Sequence, residues 1–138
     1  MEHLPSWLLT QTAAHAGRLV TERFAEVGAR GYHYRLLETL LGGPASQAEL
    51  GRRTGIHLSD MVAVLNELTA DGYVERSPDP ADKRRNVVTI TDRGRERAAE
   101  LAARAEAIQD ELLTPLTAAE RAELVRLLSL LRKGAAPA

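Results

Sequence analysis

The chain has 138 residues, a formal net charge of −1 and no cysteine, with 44% hydrophobic, 27% charged and 4% aromatic residues. That length supports one domain over residues 1–138 with a core of Leu, Ala and Val, and the missing cysteines exclude disulfides, thiolate metal sites and thiol redox sensing. No apolar run approaches the roughly 18 residues that span a bilayer, and Glu2, His3 and Pro5 interrupt any signal pattern, so a cytoplasmic protein without membrane contact is expected.

The spacing of Trp7, Leu8, Gln11, His15, Leu19 and Phe24 predicts a helix over 6–27, punctuated by Gly28 and Gly31. A second helix runs from Tyr32 to Leu41, with Leu36, Leu37, Leu40 and Leu41 apolar, and Gly42-Gly43-Pro44 stops it. Ser46-Gln47-Ala48-Glu49 then reads as a capping box, with the Ser46 hydroxyl on the Glu49 N–H and the Glu49 carboxylate on the Ser46 N–H. The short helix it opens ends at Gly55, a left-handed cap. Another helix starts at His57–Ser59 and ends at Asp71-Gly72, burying Met61, Val64, Leu65 and Leu68 at i, i+3, i+4, i+7. Two helices joined by a tight glycine turn form a helix-turn-helix.

Tyr73–Ser77 is a short strand, 78–82 is turn chemistry, and the β-branched run Val87–Thr91 is the return strand. Thr91-Asp92 opens a long helix to Leu113. Thr117-Ala118-Ala119-Glu120 is a second capping box and starts a last helix to Lys133 with Leu124, Leu127, Leu128 and Leu131 apolar. Residues 134–138 read as a frayed tail. The expected fold is mainly α with a small β-hairpin wing: a winged helix-turn-helix over 32–91, flanked by dimerisation helices at 1–28 and 112–133.

Charge is unevenly placed. Between Lys83 and Arg97 stand six basic residues, Lys83, Arg84, Arg85, Arg93, Arg95 and Arg97, against Asp92 and Glu96, so that window is +4. A helix fits the major groove of B-DNA, and an arginine on a hairpin beside it is drawn into a narrow minor groove. Arg93, Arg95 and Arg97 lie past the hairpin on a helix start, so some of them are expected to face solvent or phosphate rather than bases.

Gly55-Ile56-His57-Leu58-Ser59-Asp60-Met61-Val62, Leu65-Asn66-Glu67-Leu68 and Asp71-Gly72-Tyr73-Val74-Glu75-Arg76 resemble the MarR family of transcriptional regulators. The run Asp79-Pro80-Ala81-Asp82-Lys83-Arg84 continues the likeness, and Asp82, Arg84 and Ile90-Thr91 match its wing signature with isoleucine for leucine. The resemblance implies that Arg84 enters the minor groove and Asp82 aims it, with Lys83 and Arg85 beside them. It places His57, Ser59, Asp60, Val62 and Ala63 on the DNA-facing part of the recognition helix, and Ser46 and Gln47 at a helix N-terminus suited to phosphate. Ala63 stands where many members carry arginine. Asp60 either caps its helix or accepts from a cytosine amino group.

The resemblance also implies a cleft for a small aromatic or phenolic effector, with Trp7, Gln11, His15, Tyr32 and His33 as its candidates. Core and interface packing accounts for the same spacing. No two histidines stand at i, i+4 and no carboxylate completes a set, so no metal is expected, nor any cofactor. No nucleophile elbow, phosphate loop or carboxylate pair argues for an enzyme. Leu4, Leu8, Leu112, Leu124, Leu127, Leu128 and Leu131 suggest an interface between two copies. The partners expected are therefore double-stranded DNA and a second copy of the chain. The competing class is a winged-helix protein-binding module without DNA, and the basic wing argues for DNA.

Overall fold

The computed structural model describes residues 1–135. In chain order the elements are α1 (Pro5–Ala25), α2 (Gly31–Leu40), β1 (Ala45–Ser46), α3 (Gln47–Thr54), α4 (Leu58–Ala70), β2 (Val74–Pro78), β3 (Asn86–Ile90), α5 (Asp92–Leu112) and α6 (Ala118–Ala135). Gly134 and Ala135 of the expected tail close α6, and residues 136–138 lie outside the described residues.

The core lies where α2, α3 and α4 meet the sheet and α5. Leu36, Leu37 and Leu40 of α2 pack with Leu50 of α3 and the predicted face of α4, Met61, Val64, Leu65 and Leu68, all buried. Val74 and Val88 close it from the sheet, Ala98, Leu101 and Ile108 from α5, and Leu19 and Phe24 from α1.

The predicted hairpin is present, with β2 and β3 antiparallel and Val74 opposite Ile90 through Pro78 opposite Asn86. It is part of a three-stranded sheet of order β1-β3-β2, because Ala45 and Ser46 pair with Val88 and Val87. A two-residue strand has no periodicity to read, so β1 leaves no sign in the sequence.

Caps set the joints. Ser46 Oγ accepts from the Glu49 N–H at 3.2 Å, as expected. The Glu49 carboxylate, however, takes the Ser46 hydroxyl at 3.1 Å rather than the Ser46 N–H. Gly55 closes α3 at φ 71°, a left-handed conformation that favours glycine. The cap of α4 is His57, whose side chain accepts from the Ser59 N–H at 3.3 Å. Asp60 stands in the first helical turn, as expected from the sequence, but the side-chain cap is made by His57 and not by Asp60. The Thr117–Glu120 box is reciprocal as predicted, at 2.9 and 3.2 Å, and hydrogen bonding from the Thr117 backbone N–H, then from its side chain, holds the Glu120 carboxyl below the usual range.

Two helices lean out from this core. Leu4, Leu8 and Leu9 around α1 are exposed, and α6 buries no residue in its own chain, leaving Val125, Leu127, Leu128, Leu130 and Leu131 exposed. Leu112 and Leu124 are half-buried. No described helix is long and apolar enough to cross a membrane.

Candidate nucleic-acid interface

The wing tip is ordered by its own aspartates. Asp79 accepts from the Ala81 N–H at 2.9 Å, and the Asp79 N–H reaches the Arg85 carbonyl at 2.8 Å. Asp82 Oδ1 accepts from both the Arg84 N–H at 3.1 Å and Arg84 Nε at 3.2 Å, with Nη2 at 3.4 Å from Oδ2. The Arg84 side chain is held at its root yet is 91% exposed. The arginine's side-chain and backbone hydrogen bonds hold the Asp82 carboxyl below the usual carboxylate range, so the clasp is charged at neutral pH. The structure brings these two residues together as the family resemblance implies.

The rest of the basic window divides by partner. Lys83 stays exposed beside Arg84. Arg85 turns inward to Ser46 Oγ at 3.0 Å and Glu49 Oε1 at 3.4 Å, bracing the wing against the start of α3. Ser46 is buried and its hydroxyl occupied, and since it also takes the Glu49 N–H, the Gln47 and Ala48 N–H groups are the donors left in the first turn of α3. Gln47 is half-buried beside them. Arg97 is neither solvent- nor phosphate-facing. Its Nη2 donates to the Val27 carbonyl at 2.6 Å, and it lies with Arg93 over the Tyr73 ring.

Ser59, Asp60, Val62 and Ala63 of α4 are all exposed, as is its cap His57. Two polar struts fix the helix. Arg76 of β2 donates to Asn66 Oδ1 at 3.0 Å. On the other flank Glu67 accepts from Arg30 at 2.8 Å and meets His33 Nε2 at 2.6 Å. His33 Nδ1 accepts from the Arg30 N–H at 3.0 Å, so its proton sits on Nε2 and is donated to Glu67. The His33 bond, then Arg30, hold the Glu67 carboxyl below its usual range. The sequence pattern misses Glu67, because its partners lie more than thirty positions away in the chain.

The candidate effector residues are not gathered into one cavity. Trp7 is half-buried, Gln11 and His15 are exposed, Tyr32 lies under Arg35, and His33 serves the strut. A concavity of about 410 Å³ does lie on α1, but Ala13, Ala14, Gly17, Arg18, Thr21 and Glu22 line it.

A tight glycine turn between α3 and α4, followed by a clasped basic hairpin, defines a winged helix-turn-helix protein. The MarR family profile matches residues 27–85. The HTH-type transcriptional repressor NicR of Pseudomonas putida is 35% identical over 91 residues, 66% of this chain and 56% of NicR, so the chain spans about half of that relative's length. Among solved structures, BpsR of Bordetella bronchiseptica, described with the regulation of its DNA binding by 6-hydroxynicotinic acid, superposes with a TM-score of 0.85 at 25% identity, covering 99% of this chain and 97% of BpsR. A cysteine-to-serine mutant of MarR from E. coli in complex with operator DNA gives 0.78 at 25% identity, with 91% of each chain covered. Residues 27–85 thus match the MarR family of winged-helix transcriptional regulators, and the whole fold is similar to that of MarR-family structures.

Proposed function

We propose that this protein binds double-stranded DNA as a homodimer on a roughly palindromic operator, represses transcription, and is released by a small aromatic or phenolic effector. The observation that carries the reading is the Asp82–Arg84 clasp: a guanidinium held at its base and 91% exposed, beside the exposed face of α4. Such an arginine suits a narrow minor groove while a helix lies in the adjacent major groove. The first turn of α3 offers backbone donors to phosphate. Exposed leucines on α1 and α6 favour a second copy, and a two-fold dimer presents its helices to half-sites about 34–36 Å apart. Repression is supported by the similarity to NicR, and an aromatic effector by the similarity to BpsR. The family relatives named are regulators rather than enzymes, and we read this chain as a binding protein of the cytoplasm.

Selection from random duplexes tests the whole reading, because it returns the sequence and the half-site spacing together. On the selected duplex, Arg84→Ala should weaken binding strongly and reduce the salt dependence, since it deletes a charge contact from each protomer. Unchanged affinity and salt slope would remove the wing from the interface.

A further inference from the structure

Nothing on α4 is cationic: its charged residues are Asp60 and Glu67. Guanine is usually gripped by arginine or lysine, so a DNA-facing helix of this composition must read something else. A helix turns about 100° per residue, which sorts the exposed residues of α4 into three strips. Ser59, Ala63, Asn66 and Ala70 are outermost and, Asn66 apart, small, so the helix backbone can lie close to a base pair. Asp60 and Glu67 form the flank toward α2, where Glu67 meets Arg30 and His33. Leu58 and Val62 form the opposite flank, joined toward the far end of the helix by Thr69, whose hydroxyl is turned to the Leu65 carbonyl; the flank lies next to Asn66, which Arg76 ties to the wing strand.

That third strip is the unexplained one. Leu58 is 65% exposed and Val62 43%, although both stand one turn apart beside a fully buried helix face. Neither contributes to the core, and His57 alone caps the helix, so the fold does not need a leucine at 58. The strip is continuous with the proposed interface and lies on the wing side of it. In the major groove, the apolar feature that distinguishes one base from the others is the C5-methyl of thymine.

We propose that Leu58 and Val62 determine sequence preference by packing against thymine methyl groups on the wing side of α4. The inference rests on the DNA-binding reading above and names what that site selects. Arg84 supplies charge and anchoring from the wing, and the apolar pair supplies discrimination.

The test uses the full-length protein and the duplex it selects from a random pool. Each thymine is replaced in turn by uracil, which removes the methyl group and keeps the Watson–Crick bonds. Burying one methyl is worth about fourfold in affinity (~0.8 kcal/mol). At least one position in each half-site should lose about that factor, and the symmetric pair about sixteenfold. Leu58→Ala and Val62→Ala should bind the parent duplex more weakly and no longer distinguish thymine from uracil at the position each one touches. A selected duplex whose every uracil replacement stays within about twofold, or one without thymine, overturns the inference while leaving DNA binding intact. So does unchanged discrimination in both variants. If either variant keeps parent affinity but changes the oligomeric state, the strip is a protein contact and the inference also fails. If no duplex is selected at all, the DNA-binding reading fails first.

Discussion

Gly94 is where the head joins α5, and its replacement by alanine should unfold that joint. A Cβ added at Gly94 would overlap the Tyr73 carbonyl oxygen and come within 2.8 Å of Ile90 Cγ1. The oxygen belongs to backbone, so it cannot swing aside as a side-chain end would. Relief needs a shift on the order of 1 Å between α5 and the start of β2. That shift strains the bond from the Thr91 N–H to the same Tyr73 oxygen, now 3.1 Å, and the Thr91 cap on the Gly94 N–H, now 3.0 Å. One such bond contributes about 1 kcal/mol and overpacking costs about 1–3 kcal/mol, so the expected loss is about 2–4 kcal/mol. For a chain of this size that lowers the melting temperature by about 10 °C. Gly17→Ala is the matched control. Its Cβ meets nothing within 4 Å, and it sits inside α1, so alanine should stabilise by about 0.5–1 kcal/mol. Both are read by urea and thermal unfolding at one fixed protein concentration, since a dimer's melting temperature depends on it. A Gly94→Ala protein melting within about 2 °C of wild type would refute the packing argument.

Three further outcomes follow from the site and the exposed helices. Glu67→Gln should cost less than about 1 kcal/mol, because its ion pair with Arg30 is solvated. The folded-state carboxyl of Glu67 is lowered, so its contribution is full above the ordinary carboxylate value and fades as pH falls through the lowered one; the variant should flatten the acid limb of stability below about pH 4.3. Asp82→Asn should weaken DNA binding with no change in melting temperature, and wild-type binding should show no contribution from Asp82 titration at neutral pH, which gel shifts across that range would check. Leu128→Arg places a charge among the exposed leucines of α6; sedimentation should find monomers, and a variant that remains dimeric would move the interface elsewhere.

What the sequence makes legible is what is local. The buried face of α4, the Thr117–Glu120 box and the Gly55 turn each depend on residues within about two helical turns, and pattern alone finds them, while the equally local Asp82–Arg84 contact is what the family resemblance implies. The misses are the cases where a distant group competes, or where the chain turns a step away from the expected place. Asp60 stands in the first turn, as read, but the cap bond is made by the His57 ring, which has no place in the usual cap pattern. The box pattern has Glu49 reach back to the Ser46 N–H, yet it meets the Ser46 hydroxyl, which Arg85 also holds from the wing. His33 reads as a pocket residue, but Glu67, thirty-four positions on, claims its Nε2. The need for glycine at 94 is invisible without Tyr73 laid across it.

Those distant contacts share one mechanical consequence. Gly94 and Thr91 press the start of α5 onto Tyr73 and Gly72, and Arg97 spans from α5 to the Val27 carbonyl while covering Tyr73. Further along, Arg104 meets Glu26 at 3.1 Å and Arg23 meets Glu111 at 3.2 Å, tying α5 to α1. Head, α5 and α1 are therefore fastened at successive points rather than at one hinge. By contrast no residue of α6 is fully buried in its own chain, and among the described residues Arg121–Asp110, at 3.0 Å, is the ion pair that links it back to α5. An effector that changes the distance between two heads has little to bend inside the fastened unit. In the proposed dimer, the differential affinity that a switch requires would be most cheaply expressed where α6 and the N-terminal end of α1 would meet a second copy. That is also where this chain leaves its leucines exposed.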